Sequence, residues 1–242
     1  MSDREQTVQE LREKLVLAHK ILSAAGLLQL NLGHASLRLP EGESGRGGGG
    51  HILIMGHLHE VHKTFQTAKT DDLSVMDLDG NHVGGKLEPP GERYNHTSIY
   101  KARPEVNAVI HCHPFMTIAC TIAGRDIIPV GHYGGIFHPK VPVYPKSIQV
   151  ESPEVGDEIA EVLGGAPAVL LKHHGAAVVG KSIEQAVAVS TILEDTARLL
   201  HAASVLGTPE PMPLEEVESG MALKIDRPSL SSNPWTYWSE RV

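Results

Sequence analysis

Histidine and glutamate residues at three places in the sequence have the types and spacing expected of a metal-dependent catalytic site. Glu92 and His96 are four residues apart, His111 and His113 flank one cysteine, and His174 follows much later. Side chains two apart on a strand point to the same face, so His111 and His113 can bind one ion together. A third histidine, His174, would complete a facial ligand set with positions open for substrate. The pair alone also fits two polar residues at a strand end.

Bulk composition limits the class of protein. The chain has 242 residues, and we expect one domain over residues 1–242, with a core at about 8–205 and a tail at about 207–242. The formal charge of −8 includes no run of lysine or arginine that could follow a phosphate backbone, so no nucleic-acid partner is expected. No apolar stretch reaches the roughly 20 residues that span a bilayer, and the start lacks signal-peptide order. These features predict a cytoplasmic protein with no membrane partner.

Apolar periodicity and the positions of glycine and proline predict alternating helices and strands. Helices are expected at about residues 6–25, 92–102, 153–163 and 182–203, with another opening at Pro114. Strands are expected at about residues 34–39, 51–55, 73–78, 106–112, 127–130, 140–144 and 168–172. The glycine-rich segment 41–50 is expected to be a flexible loop, and the tail has weak periodicity. The mixed order predicts an α/β sandwich, a sheet covered by helices on its faces.

Five ordered motifs together resemble the class II aldolase/adducin family over nearly all of residues 10–205. The segment 31–38 resembles its early glycine-asparagine loop. The later motifs are Glu92-x-x-x-His96, Ile99-Tyr-x-Ala-Arg103-Pro104, Val109-x-His111-x-His113 and Leu170-Leu-x-x-His174-Gly175. Because they match in both order and spacing, they are more specific than any single motif.

The resemblance implies a three-layer α/β/α sandwich with a central mixed or antiparallel sheet. It implies that His111, His113 and His174 bind one divalent metal ion per subunit, commonly Zn²⁺, Mn²⁺, Fe²⁺ or Co²⁺, and that Glu92 is the acid/base residue. It also implies a homotetramer with active sites at subunit interfaces. Tyr133 lies where some family aldolases supply a proton donor from the next subunit.

The residues at the expected substrate-binding positions differ from those of the family's sugar-phosphate aldolases. Pro90-Gly91 replaces a serine pair that holds phosphate, and His34 replaces an asparagine. A phosphorylated ligand is therefore disfavoured. The motifs around His34, His57 and Glu88–Glu92 are more similar to the family's decarboxylases of aromatic-acid catabolism. His57 and His59 also admit the simpler interpretation of loop residues without substrate contact.

Candidate residues for binding a small-molecule carboxylate substrate follow from the same comparison. They are His34, Ser36, Arg38, His132 and His173. Arg38 could bind a carboxylate through two parallel hydrogen bonds, but a structural ion pair at a strand end is the favoured alternative. His173 would alternate away from the metal if its strand continued, which would give it a supporting or interface role.

Decarboxylation and retro-aldol cleavage both break a carbon–carbon bond and leave electrons beside an oxygenated carbon, where a metal can stabilise an enolate. The leading hypothesis is a metal-dependent decarboxylase of an ortho-hydroxy aromatic acid, such as a dihydroxyphthalate-like acid, or of an enol or β-oxo acid. One alternative is a class II aldolase that cleaves an unphosphorylated hydroxy-oxo acid. The other is a non-catalytic, adducin-like binding module.

Overall fold

The protein forms one eight-stranded sheet in a computed structural model that describes residues 3–40, 50–219 and 228–242. Most of the glycine-rich segment 41–50 lies outside these described residues. The strands are β1 His34–Arg38, β2 His51–Met55, β3 Leu73–Asp77, β4 His82–Gly84, β5 Ala108–Cys112, β6 Val143–Tyr144, β7 Ala168–Leu171 and β8 Gly175–Gly180. Their order across the sheet is β4-β3-β2-β1-β5-β8-β7-β6. All neighbours are antiparallel except β6 and β7, which confirms the mixed sheet.

Helices cover both faces of the sheet. They are α1 Asp3–Ala24, α2 Tyr94–Ala102, α3 Phe115–Ile122, α4 Gly131–Gly134, α5 Pro153–Leu163, α6 Ile183–Leu206, α7 Leu214–Glu218 and α8 Pro228–Ser239. One buried apolar cluster joins α1, α3 and α6 to one face of the sheet, and a second joins α2 and α5 to the other. The three-layer α/β/α sandwich is therefore confirmed. Within the described ranges, no helix is both long and apolar enough to cross a membrane.

Local sequence signals set the helix ends as expected. The first helix stops before Gly26, whose φ of +75° is a left-handed conformation that glycine adopts without strain. Ser152 and Ser182 cap α5 and α6, because their side-chain oxygens accept hydrogen bonds from Val155 and Gln185 amides.

The expected strand at 127–130 is wrong. That segment contains Pro129, which has no amide hydrogen, and its Ile127 carbonyl accepts only an isolated bond from the Val141 amide, 3.0 Å away. The sequence also gave no clear signal for β8, whose first residues are small.

The tail contains a helix that the weak periodicity did not predict. Leu230 of α8 is buried, and Trp235 and Trp238 pack against the apolar cluster shared by α1 and α6. These tryptophans therefore contribute to the core of their own chain.

Candidate metal centre

Four metal-capable side chains converge at one end of the sheet. His111 lies near the end of β5, and His113 follows that strand directly. His174 lies in the turn between β7 and β8, rather than at the end of a continuing strand. Glu92 lies in a single 3-10 turn, Gly91–Arg93, so it precedes α2 instead of sharing that helix with His96. Antiparallel pairing of β5 with β8 brings these segments together.

The donor atoms of these four residues are close enough to hold one ion after small adjustments. One ligand atom from each of Glu92, His111, His113 and His174 lies within 4.8 Å of the others. The Glu92 carboxylate oxygens lie 3.3 Å from His111 Nε2 and 3.5 Å from His174 Nε2. A carboxylate with three imidazoles is a donor set suited to zinc, manganese, iron or cobalt.

Backbone carbonyls orient two of these imidazoles. His111 Nδ1 donates to the Ala176 carbonyl and His174 Nδ1 to the Ile148 carbonyl, each at 3.2 Å. Because a carbonyl only accepts, each hydrogen bond leaves Nε2 with a lone pair directed towards Glu92. Such a carbonyl partner is the usual support of a metal-binding histidine.

Unpaired buried nitrogens provide the test of whether these residues fit a metal. His111 Nε2 and His113 Nδ1 are buried and have no hydrogen-bond partner among the described residues. Leaving such atoms unpaired costs free energy, which a bound cation would offset. The three imidazoles, with the Glu92 carboxylate beside them, therefore fit a divalent metal ion.

Electrostatics in the group favour an ionised carboxylate at Glu92 and a neutral imidazole at His113. Burial raises the pKa of Glu92, but its contacts with His111 and His174 outweigh that effect and hold the pKa well below its usual range. Burial, with the nearby His111 and His174, lowers the pKa of His113 to about 3. Burial also opposes protonation of His174, but the contact with Glu92 raises its pKa. A cation bound at this point would replace the proton that Glu92 attracts.

Two glycines allow the strands that carry the ligands to approach closely. A Cβ on Gly175 would collide with the Cys112 carbonyl and lie 3.0 Å from His113 Cδ2. Gly33 has a φ of +91°, and a Cβ there would lie 2.7 Å from the His111 carbonyl oxygen.

The group opens into a cleft of about 730 Å³. Of the predicted substrate-binding residues, His34 and His173 line this cleft, together with Glu92, His113 and His174. His173 has a φ of +60°, and its Nδ1 lies 3.0 Å from Ser147 Oγ, so the strand does not continue through it. Among the described residues, the cleft lining includes no lysine or arginine.

Ser36 and Arg38 lie behind the cleft instead of lining it. Ser36 is fully buried on β1, and Arg38 donates to the backbone carbonyls of Val106 and Tyr100, at 3.1 and 2.8 Å. The Arg38 guanidinium also lies 4.8 Å from the Tyr100 ring centroid. These contacts join β1 to the end of α2, in place of the carboxylate or ion pair considered for Arg38.

His34 is fixed by a buried chain of hydrogen bonds. His34 Nδ1 lies 2.7 Å from His96 Nε2, His96 Nδ1 lies 2.6 Å from Ser36 Oγ, and Ser36 Oγ lies 2.9 Å from the Tyr100 hydroxyl. Burial, together with nearby histidines, holds the pKa values of His34 and His96 well below their usual range. Both rings are therefore neutral, and each has one nitrogen that donates and one that accepts. The sequence motifs included His96 and Tyr100 but gave no sign that Ser36 links the two side chains.

Two further predicted residues lie outside this chain's own cleft lining. His132 and Tyr133 are on the short helix α4, with ring centroids 5.3 Å apart, and Tyr133 is 58% exposed. By contrast, His57 and His59, for which loop positions without substrate contact were considered, do line the cleft. Their i, i+2 spacing after Gly56 was the available signal.

Similarity to known proteins agrees with this geometry. Residues 13–201 match the family described as Class II Aldolase and Adducin N-terminal domain. The chain belongs to the class II aldolase and adducin family.

Two of the family's curated enzymes align over most of the chain. The 3,4-dihydroxyphthalate decarboxylase of Arthrobacter keyseri is 32% identical, and the alignment covers 96% of this chain and 92% of that protein. The enzyme of the same name from Terrabacter sp. (strain DBF63) is 30% identical, with coverages of 85% and 87%.

A solved structure of the family shares the fold. The L-fuculose 1-phosphate aldolase from Glaciozyma antarctica PI12 superposes with a TM-score of 0.82 at 22% identity, covering 100% of this chain and 93% of that one. At this identity the similarity establishes the class II aldolase fold and not the substrate.

Proposed function

We propose that the protein is a metal-dependent decarboxylase of an ortho-hydroxy aromatic acid, or of an enol or β-oxo acid. The observation that carries the proposal is the buried, unpaired His111 Nε2 and His113 Nδ1 beside Glu92, at the base of a cleft whose lining, in the described ranges, includes no lysine or arginine. The alignments with decarboxylases of 3,4-dihydroxyphthalate over most of the chain support this chemistry. The proposed substrate class includes 3,4-dihydroxyphthalate itself.

His111, His113 and His174 would hold one divalent ion, which supplies Lewis-acid stabilisation of the negative oxygen that develops as the carbon–carbon bond breaks. Zn²⁺, Mn²⁺, Fe²⁺ and Co²⁺ all suit these ligands. The carbonyl partners of His111 and His174 keep the imidazoles oriented.

Glu92 would move the proton in this reaction. As a carboxylate it accepts the proton of the substrate hydroxyl, and as an acid it delivers that proton to the ring carbon that bears the carboxylate. The bond to the carboxyl carbon then breaks, carbon dioxide leaves, and the electron pair returns to the ring oxygen. A solvent proton completes the phenol product.

His34 and His173 would hold the substrate, because both line the cleft and offer imidazole hydrogen bonds. Ser36 would act through His96 to fix the orientation of His34. Arg38 would keep β1 against α2. We assign no substrate contact to His132.

Tyr133 would assist protonation in the site of a neighbouring subunit of a homotetramer. Exposed apolar side chains beside the cleft support assembly at this end of the sheet. Leu30 is 90% exposed, and Phe115 and Ile122 are 66% and 64% exposed.

Carbon dioxide release tests the proposed reaction. Protein stripped of metal and reconstituted with Zn²⁺, Mn²⁺, Fe²⁺ or Co²⁺ is incubated with 3,4-dihydroxyphthalate and related ortho-hydroxy aromatic acids. Release that depends on added metal is the expected result. Metal-loaded protein that forms an aldehyde from an unphosphorylated hydroxy-oxo acid, and no carbon dioxide, would instead establish the aldolase alternative. Protein that binds no metal would be a non-catalytic module.

A further inference from the structure

A second group of metal-capable side chains lies at the edge of the same cleft, whose lining includes His57 and His59. His57, His59 and Glu60 each offer one ligand atom, and these atoms lie within 4.8 Å of one another. The rings of His57 and His59 have centroids 5.0 Å apart, and His57 Nδ1 lies 3.1 Å from Glu60 Oε1. These three residues, which we call the rim cluster, are separate from the ligands around Glu92.

The backbone that carries the rim cluster is well anchored. Gly56 and His57 amides donate to the Asp72 and Glu88 carbonyls, each at 3.1 Å. A 3-10 turn, Leu58–Val61, follows and buries Leu58 in the core. The anchored turn leaves the histidine and glutamate side chains on its accessible side.

The presence of a carboxylate makes the rim cluster suitable for a cation and unsuitable for an anion. Glu60 lies against His57, so an anionic group placed there would be repelled. Two imidazoles and one carboxylate match the ligand set of many zinc sites with open positions. Metal bonds of about 2.1 Å require donor atoms about 3.4 Å apart, so the most widely separated donors must approach by up to about 1.4 Å. His59 and Glu60 are exposed and His57 is half-buried, which leaves room for that closure.

The negative charge of the cleft lining suggests what a cation bound by the rim cluster would do. The lining carries Glu92 and Glu151 but, among the described residues, no lysine or arginine. A substrate with two carboxylates therefore meets no permanent side-chain cation there. A divalent ion near Glu92 that chelates the hydroxyl and the carboxylate to be lost leaves the other carboxylate without a cationic partner.

We propose that His57, His59 and Glu60 bind a second divalent cation, which holds the distal carboxylate of a dicarboxylate substrate. The metal site depends only on the rim cluster, whereas its use in substrate binding rests on the proposed decarboxylase function. The chain thus binds two ions, one for chemistry and one for recognition.

Metal stoichiometry tests the site directly. The full chain, stripped with chelator, is titrated with Co²⁺, followed by visible absorption and by metal analysis after gel filtration. We expect two ions per chain, and one ion per chain in His59→Ala and in Glu60→Gln. The matched control is His62→Asn, which removes an exposed imidazole from the same turn and suits its φ of +52°. It should retain both ions.

One ion per chain in the unmodified protein would overturn the proposal, as would two ions in His59→Ala. Loss of an ion in His62→Asn equal to that in His59→Ala would show unspecific binding by surface histidines and would also overturn it. His174→Ala provides the complementary measurement, because it should keep the rim ion and lose the other.

The role in substrate binding is tested separately by kinetics. His59→Ala should raise the KM for a hydroxy-dicarboxylate and the KM for the matching monocarboxylate by different factors. We expect the factor for the dicarboxylate to be larger, on the order of tenfold. Equal effects on both KM values would overturn the recognition role. If the metal-loaded protein released no carbon dioxide, the proposed function would fail while the two-ion stoichiometry could still stand, so the two failures are distinguishable.

Discussion

Hydrogen bonds to backbone carbonyls determine how the candidate metal ligands present their nitrogens. The Nδ1 atoms of His111 and His174 donate to Ala176 and Ile148, and both Nε2 atoms then approach Glu92. The strand or loop that supplies each carbonyl thus determines which ring nitrogen of the histidine is left to bind the metal.

Replacing His174 by alanine should remove the metal from this centre. His174 is only partly buried, so the change creates little empty space, while one of three imidazole ligands is lost. We expect at least about tenfold weaker affinity for Zn²⁺ or Co²⁺ in a competition titration with a chelator. The control is His173→Asn, an exposed neighbour whose φ of +60° asparagine accepts. Equal affinity in His174→Ala and the unmodified protein would remove His174 from the ligand set.

His19 should make the stability of the fold sensitive to acid. Its Nδ1 donates to the Leu15 carbonyl at 2.7 Å, its Nε2 accepts from the Ala35 amide at 3.0 Å, and burial lowers its pKa to about 4. An unfolded chain binds a proton at this histidine below about pH 6.5. Between about pH 6.5 and 4 the unfolded state therefore holds more protons, so the free energy of unfolding falls as the pH falls, by up to about 1.4 kcal/mol per pH unit.

Urea unfolding of metal-free protein at several pH values measures this effect. His19→Gln should be less stable at neutral pH, because the two hydrogen bonds are perturbed, and its stability should decline less steeply between pH 6.5 and 4. Other histidines titrate in both proteins and cancel in the difference. Parallel pH curves for the two proteins would show that His19 is not the acid-sensitive group.

At the residue scale, residue types and spacings predicted that His111, His113, His174 and Glu92 converge, because all four lie in recognisable motifs. Residue types and spacings could not predict the chain of hydrogen bonds from His34 to Tyr100. Its members come from β1 and α2, and only tertiary packing places Tyr100 beside Ser36.

At the scale of elements, the close approach of β5 and β8 positions the ligands of the metal centre. Gly175→Ala should disturb it, because the new methyl group would collide with the Cys112 carbonyl and crowd His113. We expect a lower urea midpoint together with weaker metal binding. Gly165→Ala is the matched control, since its Cβ would meet nothing within 4 Å. Similar behaviour of the two variants would show that the strand spacing is not required.

At the scale of elements, periodicity predicted α1, α5 and α6 closely, because each has a long apolar stripe and a clear end signal. It failed for β8 and α8. The strand β8 begins with Gly175 and two alanines, and α8 contains Pro234 among serines, so neither has a strong local preference. Both elements are stabilised by packing against the rest of the molecule.

The two apolar layers of the whole molecule surround a sheet whose ligand-bearing end remains open. Family resemblance predicted this three-layer arrangement, whereas the mixed order of the expected helices and strands predicted only an α/β sandwich. Periodicity carries no information about subunit assembly, because an interface and a core both require apolar side chains.

Mixing two inactive variants tests whether Tyr133 acts in a neighbouring subunit. Tyr133→Phe and Glu92→Gln should each have low activity as pure oligomers. After dissociation and reassembly at equal amounts, sites with Glu92 from one subunit and Tyr133 from the next should recover up to about a quarter of full activity. Light scattering should give four chains per particle. No recovery in mixed particles would place Tyr133 in its own subunit's site or outside the chemistry.

The rate of carbon dioxide release by Glu92→Gln, with metal content measured on the same sample, tests the central assignment most directly. Glutamine preserves the size of the side chain but cannot accept and return the proton. We predict that the variant keeps its metal at the His111, His113 and His174 site and loses turnover by a factor on the order of 100 or more. Turnover close to that of the unmodified protein, with metal bound, would contradict the role of Glu92 and the mechanism built on it.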